Sequence, residues 1–244
     1  MGLYRSFKFK KQLLDSVSRF VVSEKYKYLF IVNPKVASRS WQDLMLRLEN
    51  KDSVRDFKCI KEYNIFDINK ILYSNEYFKF RMVRNPYARI LSAYKNKIAG
   101  KISNDCANKA ISFIVFNKMR TLIKRNALKN GYAENNEEEV TFKEFVIFFS
   151  NKNPETMDVH WMPQTLLTMD KYINYDFTAK MENFNEDSSF ILKKLNIKEE
   201  LLLKGRTTNS SNELEEYYDK ELQEIVYKTY IDDFKTFGYK EELL

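Results

Sequence analysis

Lys35 lies in a short polar stretch, Pro34-Lys35-Val36-Ala37-Ser38-Arg39-Ser40-Trp41, between an apolar run and a helical pattern. A loop joining a buried strand to a helix N-terminus presents unpaired backbone N–H groups, and the helix dipole adds positive potential there. Phosphate binds well at such a place. Lys35 would add a mobile charge, and Ser38 and Ser40 hydroxyl donors. The stretch is not a Walker A loop, which carries its lysine at the end and a Ser/Thr for magnesium after it. An ordinary turn with a surface lysine is the plain alternative. A second constellation is Arg84 with Ser92, eight residues on. Arg84 closes a predicted strand, where open α/β sheets bind ligands, and Ser92 falls about two turns into the next helix. A guanidinium fork beside a hydroxyl suits a single phosphate; a salt-bridged Arg84 with Ser92 merely tolerated in its helix is the alternative. His160 is the single histidine of the chain and the one side chain whose ordinary pKa is near neutrality, hence a candidate general base. Lone histidines are more often structural. Asp158 and Glu182 stand in reserve, as bases or as groups that orient His160, and Glu182 could equally be a buried structural acid.

The elements that must position these residues are legible in outline. Tyr28 to Val32 is a continuous apolar run that predicts a strand buried on both faces, followed by a helix from about Ser40 with Trp41, Leu44, Met45 and Leu48 inward. Tyr77 to Val83 predicts a second strand, with Asn85 as cap and Pro86 as first residue of the next helix. Ile111 to Lys129 reads as helix, and the acidic stretch Glu134 to Glu139 as a solvated loop. Thr141 with Glu144 forms a capping box for a helix through Phe149. Pro154 and Pro163 bracket an irregular segment around His160. A last helix spans about Lys220 to Phe234 and stops at Gly238. Strands alternating with helices predict an α/β fold in three layers, a central parallel β-sheet flanked by helices.

The chain has 244 residues, a formal charge of +7 and 44% hydrophobic content, enough for a substantial core. The basic excess favours an anionic partner without choosing one. Residues 1–27 hold seven bases against two acids. They are expected to form a basic arm that is either a solvated leader or a peripheral contact with a membrane surface through Tyr4, Phe7 and Phe9. Residues 28–244 are expected to form one domain. Cys59 and Cys106 make neither a disulfide framework nor a zinc spacing, and no N-terminal apolar run suits a signal or a span. A cytoplasmic setting, peripheral at the inner membrane face if the arm binds lipid, is therefore expected. With only five glycines, loops that approach a ligand must manage without them. A basic nucleic-acid binder would fit the charge, but no such motif accompanies it, and no nucleic-acid partner is expected.

Taken in order, Asn33 to Trp41, Met82-Val83-Arg84-Asn85-Pro86-Tyr87-Ala88-Arg89-Ile90-Leu91-Ser92-Ala93-Tyr94, His160-Trp161-Met162-Pro163-Gln164, Tyr175-Asp176-Phe177 leading to Glu182, and Phe237-Gly238-Tyr239 resemble one family. It is the PAPS-dependent carbohydrate sulfotransferases that include the chondroitin, dermatan and HNK-1 enzymes (PAPS is 3′-phosphoadenosine-5′-phosphosulfate). The likeness runs from about residue 28 to residue 240, with the arm and residues 100–150 unmatched. It implies a P-loop-like fold and metal-independent, in-line transfer of a sulfuryl group from PAPS to a hydroxyl of a glycan or lipid-linked oligosaccharide, leaving 3′,5′-ADP. Lys35, Val36, Ala37, Ser38, Arg39, Ser40 and Trp41 would hold the 5′-phosphosulfate, and Arg84 with Ser92 the 3′-phosphate. Arg206 and Thr208 would make a weaker second contact. Lys35 would also stabilise charge on the bridging oxygen, and His160 would take the acceptor proton. Residues 100–150 would form a helical insertion shaping the acceptor site. Ala37 stands where the family often has glycine, and Met162 where it often has arginine. A phenol or tyrosine acceptor, an ATP-dependent P-loop-like kinase, and a nucleotide binder without turnover are the rival readings.

Overall fold

A computed structural model describes residues 20–53, 63–99, 109–133, 139–201 and 212–243. Arg206, Thr208, the two cysteines and most of the basic arm lie outside them. In chain order the elements are β1 (Phe20–Ser23), β2 (Tyr28–Ile31), α1 (Ser38–Leu48), α2 (Ile65–Tyr73), β3 (Phe78–Val83), α3 (Pro86–Ala93), a π-helical turn (Tyr94–Ala99), α4 (Lys109–Lys129) and α5 (Phe142–Ser150). After a 3-10 turn (Pro154–Thr156) come α6 (Gln164–Leu167), β4 (Phe177–Lys180), a second 3-10 turn (Met181–Asn183), α7 (Phe184–Lys194), α8 (Leu214–Tyr217), α9 (Lys220–Thr229) and α10 (Ile231–Phe237).

These elements fall into two compact units. One is drawn from the described residues of Met1–Arg84 and Gln164–Gly205, the other from those of Asn85–Pro163 and Arg206–Leu244. The first holds a four-stranded sheet in the order β1-β2-β3-β4. β2, β3 and β4 run parallel, while β1 pairs antiparallel with β2, from Phe20 opposite Ile31 to Ser23 opposite Tyr28. The expected central parallel sheet is present in β2, β3 and β4, and β1 adds an antiparallel edge to it. That edge comes from residues whose neighbouring charge had grouped them with the arm; Phe20–Ser23 is buried throughout.

Side-chain alternation explains why both faces of the sheet are covered. Tyr28, Phe30, Phe80, Met82 and Ala179 face α1 and α7, where Trp41, Leu44, Ile191 and Leu192 meet them. Phe20, Val22, Leu29 and Ile31 point the other way, onto Ile68, Ile71 and Leu72 of α2 and onto Met169 and Ile173. This makes three layers, helix on sheet on helix. Arg81, a charge on the central strand, is kept there by Asp170, by Thr168 and Thr178 at 3.2 and 3.0 Å, and by the Tyr175 ring at 4.1 Å.

The second unit is helical around an aromatic core that includes Tyr87, Phe145, Phe149, Trp161, Tyr230 and Phe234. The capping box is present, Thr141 Oγ1 accepting from the Glu144 amide at 3.2 Å and Glu144 accepting from the Thr141 amide at 3.0 Å. The last predicted helix is broken in two. Tyr230, with φ −114°, separates α9 from α10, and its buried hydroxyl donates to the Trp161 carbonyl. The chain still stops at Gly238, in the left-handed conformation at φ 63° that favours glycine.

Candidate active site

In the first unit the three parallel strands end side by side, and the loop from β2 to α1 leaves from one of those ends. Two of its residues are left-handed, Lys35 at φ 73° and Ala37 at φ 56°. Neither is glycine, and such angles cost a side-chain-bearing residue about 1–2 kcal/mol. Strain of this kind collects where a loop must hold a ligand. Ala37 also caps α1 without a side-chain hydrogen bond, and no acidic residue stands in the first turn of α1. The N–H groups of that turn thus lie in positive potential, beside the side chains of Ser38 and the exposed Arg39. Val36 and Trp41 have fully buried side chains; Trp41 packs on Phe30 and Phe80 at 5.9 and 5.1 Å. Whatever they offer a ligand comes from the backbone. An αL angle favours glycine, so Ala37→Gly should raise stability by about 1 kcal/mol, read as a higher urea midpoint.

Arg84 follows directly on β3 and is buried, its Nη1 donating to the Lys35 carbonyl at 3.4 Å. Its backbone is gripped from α6. Gln164 Oε1 accepts from the Arg84 amide at 3.0 Å while Gln164 Nε2 donates to the Arg84 carbonyl at 2.8 Å. Asn33 Nδ2 joins at 2.9 Å to the same Oε1 and at 3.2 Å to the Met82 carbonyl. One fully buried glutamine therefore ties the end of β2 to the end of β3. In the sequence Gln164 reads only as part of a motif. Its signal was a single amide-bearing residue after Pro163, which carries no information about a partner 80 residues away.

In the second unit α3 begins as expected, with Asn85 Oδ1 accepting from the Tyr87 amide at 2.9 Å and Pro86 in the first turn. Ser92 is buried in its last turn. Three residues before it Arg89 is also buried, although its charge predicts exposure. Its guanidinium donates to the carbonyls of Met162 at 2.8 Å and Val159 at 3.1 Å. Those carbonyls flank His160, whose turn is closed further by the amides of Trp161 and Met162 on the Asp158 carbonyl. Asp158 Oδ1 accepts from the His160 amide at 2.9 Å and faces His160 Nδ1 at 2.6 Å. A carboxylate on Nδ1 holds the proton there and presents Nε2 as the acceptor nitrogen. The Phe116 ring stands edge-on to His160 at 5.9 Å, and Lys97 lies over Phe116 at 4.7 Å.

Burial by itself pushes the Asp158 carboxyl up, but hydrogen bonds from the His160 ring and amide, with the charges of His160 and Lys97, outweigh it and hold its pKa below the ordinary carboxylate range. A depressed carboxylate contributes stability that is present above its ordinary pKa and lost as pH falls through the folded value. The stability gap between the wild type and Asp158→Asn should thus be full above about pH 5 and close on further acidification, in melts taken across that range.

The structure brings Lys35 and Arg84 together in the first unit, and Asp158 with His160 in the second. Glu182 is exposed in the turn after β4, which rules out a buried structural acid there. Among the described residues no group of three His, Cys, Asp or Glu side chains is placed to hold a metal ion.

The model of the Sulfotransferase family matches residues 18–240. Carbohydrate sulfotransferase 14 of Danio rerio is 30% identical over 94% of this chain and 64% of its own length. Carbohydrate sulfotransferase 11 of Rattus norvegicus is 27% identical over 92% of this chain and 68% of its own. Carbohydrate sulfotransferase 9 of Homo sapiens is 27% identical over 96% of this chain and 56% of its own. No solved structure gives a significant match. With a left-handed, lysine-bearing strand-to-helix loop and a family match from end to end of its described elements, this chain belongs to the sulfotransferase family.

Proposed function

We propose that this chain transfers a sulfuryl group from PAPS to a hydroxyl of a carbohydrate acceptor. The observation that carries the donor half is the Lys35–Ala37 loop with Arg84 docked on the Lys35 carbonyl. The donor set suits a bisphosphorylated nucleotide: an ammonium, a guanidinium, hydroxyls, and helix N–H groups with no carboxylate in the first turn of α1. The carbohydrate half rests on the names of the relatives, which are carbohydrate sulfotransferases.

When bound, PAPS supplies an activated sulfuryl group. The rest falls to side chains. Lys35 and the amides of Ser38 and Arg39 neutralise the 5′-phosphosulfate and the charge that grows on its bridging oxygen. Arg84 and Ser92 recognise the 3′-phosphate, helped by Arg206 and Thr208. His160 Nε2 accepts the proton of the attacking hydroxyl, and Asp158 stabilises the imidazolium that results. Residues 100–150 shape the acceptor site.

Calorimetric titration without magnesium tests the donor half. 3′,5′-ADP should bind more tightly than 5′-AMP or ATP, and Arg84→Ala should weaken it by about 10–100-fold, the worth of a charge-assisted hydrogen bond. Tighter binding of ATP, or no preference, overturns the assignment. Transfer of radiolabelled sulfate from PAPS to a panel of glycans tests the acceptor half; label entering only phenols or tyrosine peptides would refute it.

A further inference from the structure

α4 carries six bases and no acid in 21 residues, Lys109, Lys118, Arg120, Lys124, Arg125 and Lys129. The fold sorts them. Arg120 turns inward to the Ile98 carbonyl at 2.6 Å and to Asn117 at 3.0 Å, and Lys124 to the buried Glu144 at 2.9 Å. Lys118, Arg125 and Lys129 are exposed and form no ion pair among the described residues. They share their face with Ile114, Val115, Leu122 and Leu128, which are 45–58% exposed. The opposite face, with Phe116, Ile123 and Ala127, is buried. At 100° per residue the seven exposed positions fall within one broad stripe along the helix.

A merely solvated helix face has no reason to expose four branched aliphatic side chains beside three cations without an ion pair among the described residues. An acidic protein groove would satisfy the cations and leave the aliphatics without purpose. A sulfated or carboxylated glycan would do the same, because sugars are gripped through aromatic rings and hydrogen bonds, and this face has no aromatic side chain. An anionic bilayer surface satisfies both. Aliphatic side chains enter the boundary between headgroups and acyl chains, while Lys and Arg extend along their stems to the phosphates. No described helix is long and apolar enough to cross a membrane, so such contact would be interfacial. We infer that the outer face of α4 docks the protein on an anionic lipid surface, with Ile114, Leu122 and Leu128 inserted and Lys118, Arg125 and Lys129 on the headgroups.

The inference does not depend on sulfuryl transfer and is read without turnover. The full chain is sedimented with vesicles of phosphatidylcholine alone and with equal parts phosphatidylcholine and phosphatidylserine. Binding is expected to the second only, and to weaken at raised salt. The triple variant Lys118→Gln/Arg125→Gln/Lys129→Gln should bind about a hundredfold more weakly, since each base near an anionic surface is worth about fivefold. Leu122→Ser/Leu128→Ser should weaken binding by about tenfold or more. All five residues are exposed, so both variants should melt with the wild type. Vesicle binding that neither variant changes would overturn the inference and pass the contact to another segment. It also fails if the leucine variant leaves vesicle binding intact and the glutamine variant loses heparin equally, which would mark a general polyanion site. A change in sedimentation coefficient without lipid, shared by both variants, would overturn it in favour of a second copy of the chain.

Discussion

Replacing His160 by alanine should lower kcat by about 10²–10⁴-fold, the usual worth of a positioned general base, while the affinity for 3′,5′-ADP stays within about twofold. The expectation follows from the second unit alone. Asp158 lies at 2.6 Å from Nδ1 and also accepts from the His160 amide, so ring and backbone are fixed by one carboxylate oxygen. The ring is also 24% exposed, so an acceptor hydroxyl can approach it, and the Phe116 edge lies against it at 5.9 Å. The two measurements separate the roles. Lost turnover with intact nucleotide binding and an unchanged melt marks the base; lost turnover with lost binding marks a collapse of the fold. Should kcat fall less than tenfold, the proton goes elsewhere, and Glu182 becomes the next side chain to replace. Because His160 is the single histidine, the imidazole nitrogen resonances of the whole protein report this one ring. They should show Nδ1 protonated in the wild type and a tautomeric mixture in Asp158→Asn.

What the sequence made legible is what local rules decide. The run from Tyr28 announced a strand because five consecutive apolar residues have no other cheap arrangement beside a turn at Asn33-Pro34. Asn85-Pro86, Thr141 with Glu144, and Gly238 each fix a helix end through their own backbone, and each was found in place. The family resemblance then supplied order to motifs whose individual signals were moderate. What stayed hidden depends on distant partners. β1 has only four residues and follows a stretch dense in lysine, so charge masked a strand that β2 requires as its edge. Nothing in an alanine announces φ 56°, and the strain at Ala37 was visible only as a departure from glycine. Gln164 could not be read as the clamp between β2 and β3, since an amide names neither of its partners. Arg89 carried no signal beyond its place in a motif: charge ordinarily means solvent, whereas its guanidinium is buried among backbone carbonyls.

Arg89 is for that reason the residue whose loss should cost the second unit most. Each hydrogen bond from a charged donor contributes about 1.5–3 kcal/mol, and Arg89 makes two to the turn that carries His160, so Arg89→Met should destabilise by about 3–6 kcal/mol. Against a usual total of about 5–15 kcal/mol this approaches unfolding, and the urea midpoint should fall accordingly. Methionine fills much of the space, so the loss reports the hydrogen bonds more than a cavity. Arg89→Lys gives the finer test. A single ammonium cannot reproduce a planar fork on two carbonyls, so one of the Val159 and Met162 carbonyls loses its donor while the charge remains. Tyr230 still donates to the Trp161 carbonyl, and burial, with Asp233 adding to it against the opposing charge of Arg89, pushes its phenol well above the ordinary range and keeps it a donor. The turn in Arg89→Lys is therefore held at one side only. The lysine variant should fold, bind 3′,5′-ADP normally, and show reduced kcat with altered His160 nitrogen shifts. Normal kcat and unchanged shifts in a variant of lowered stability would mean that Arg89 supports the core and leaves the histidine where Asp158 alone puts it.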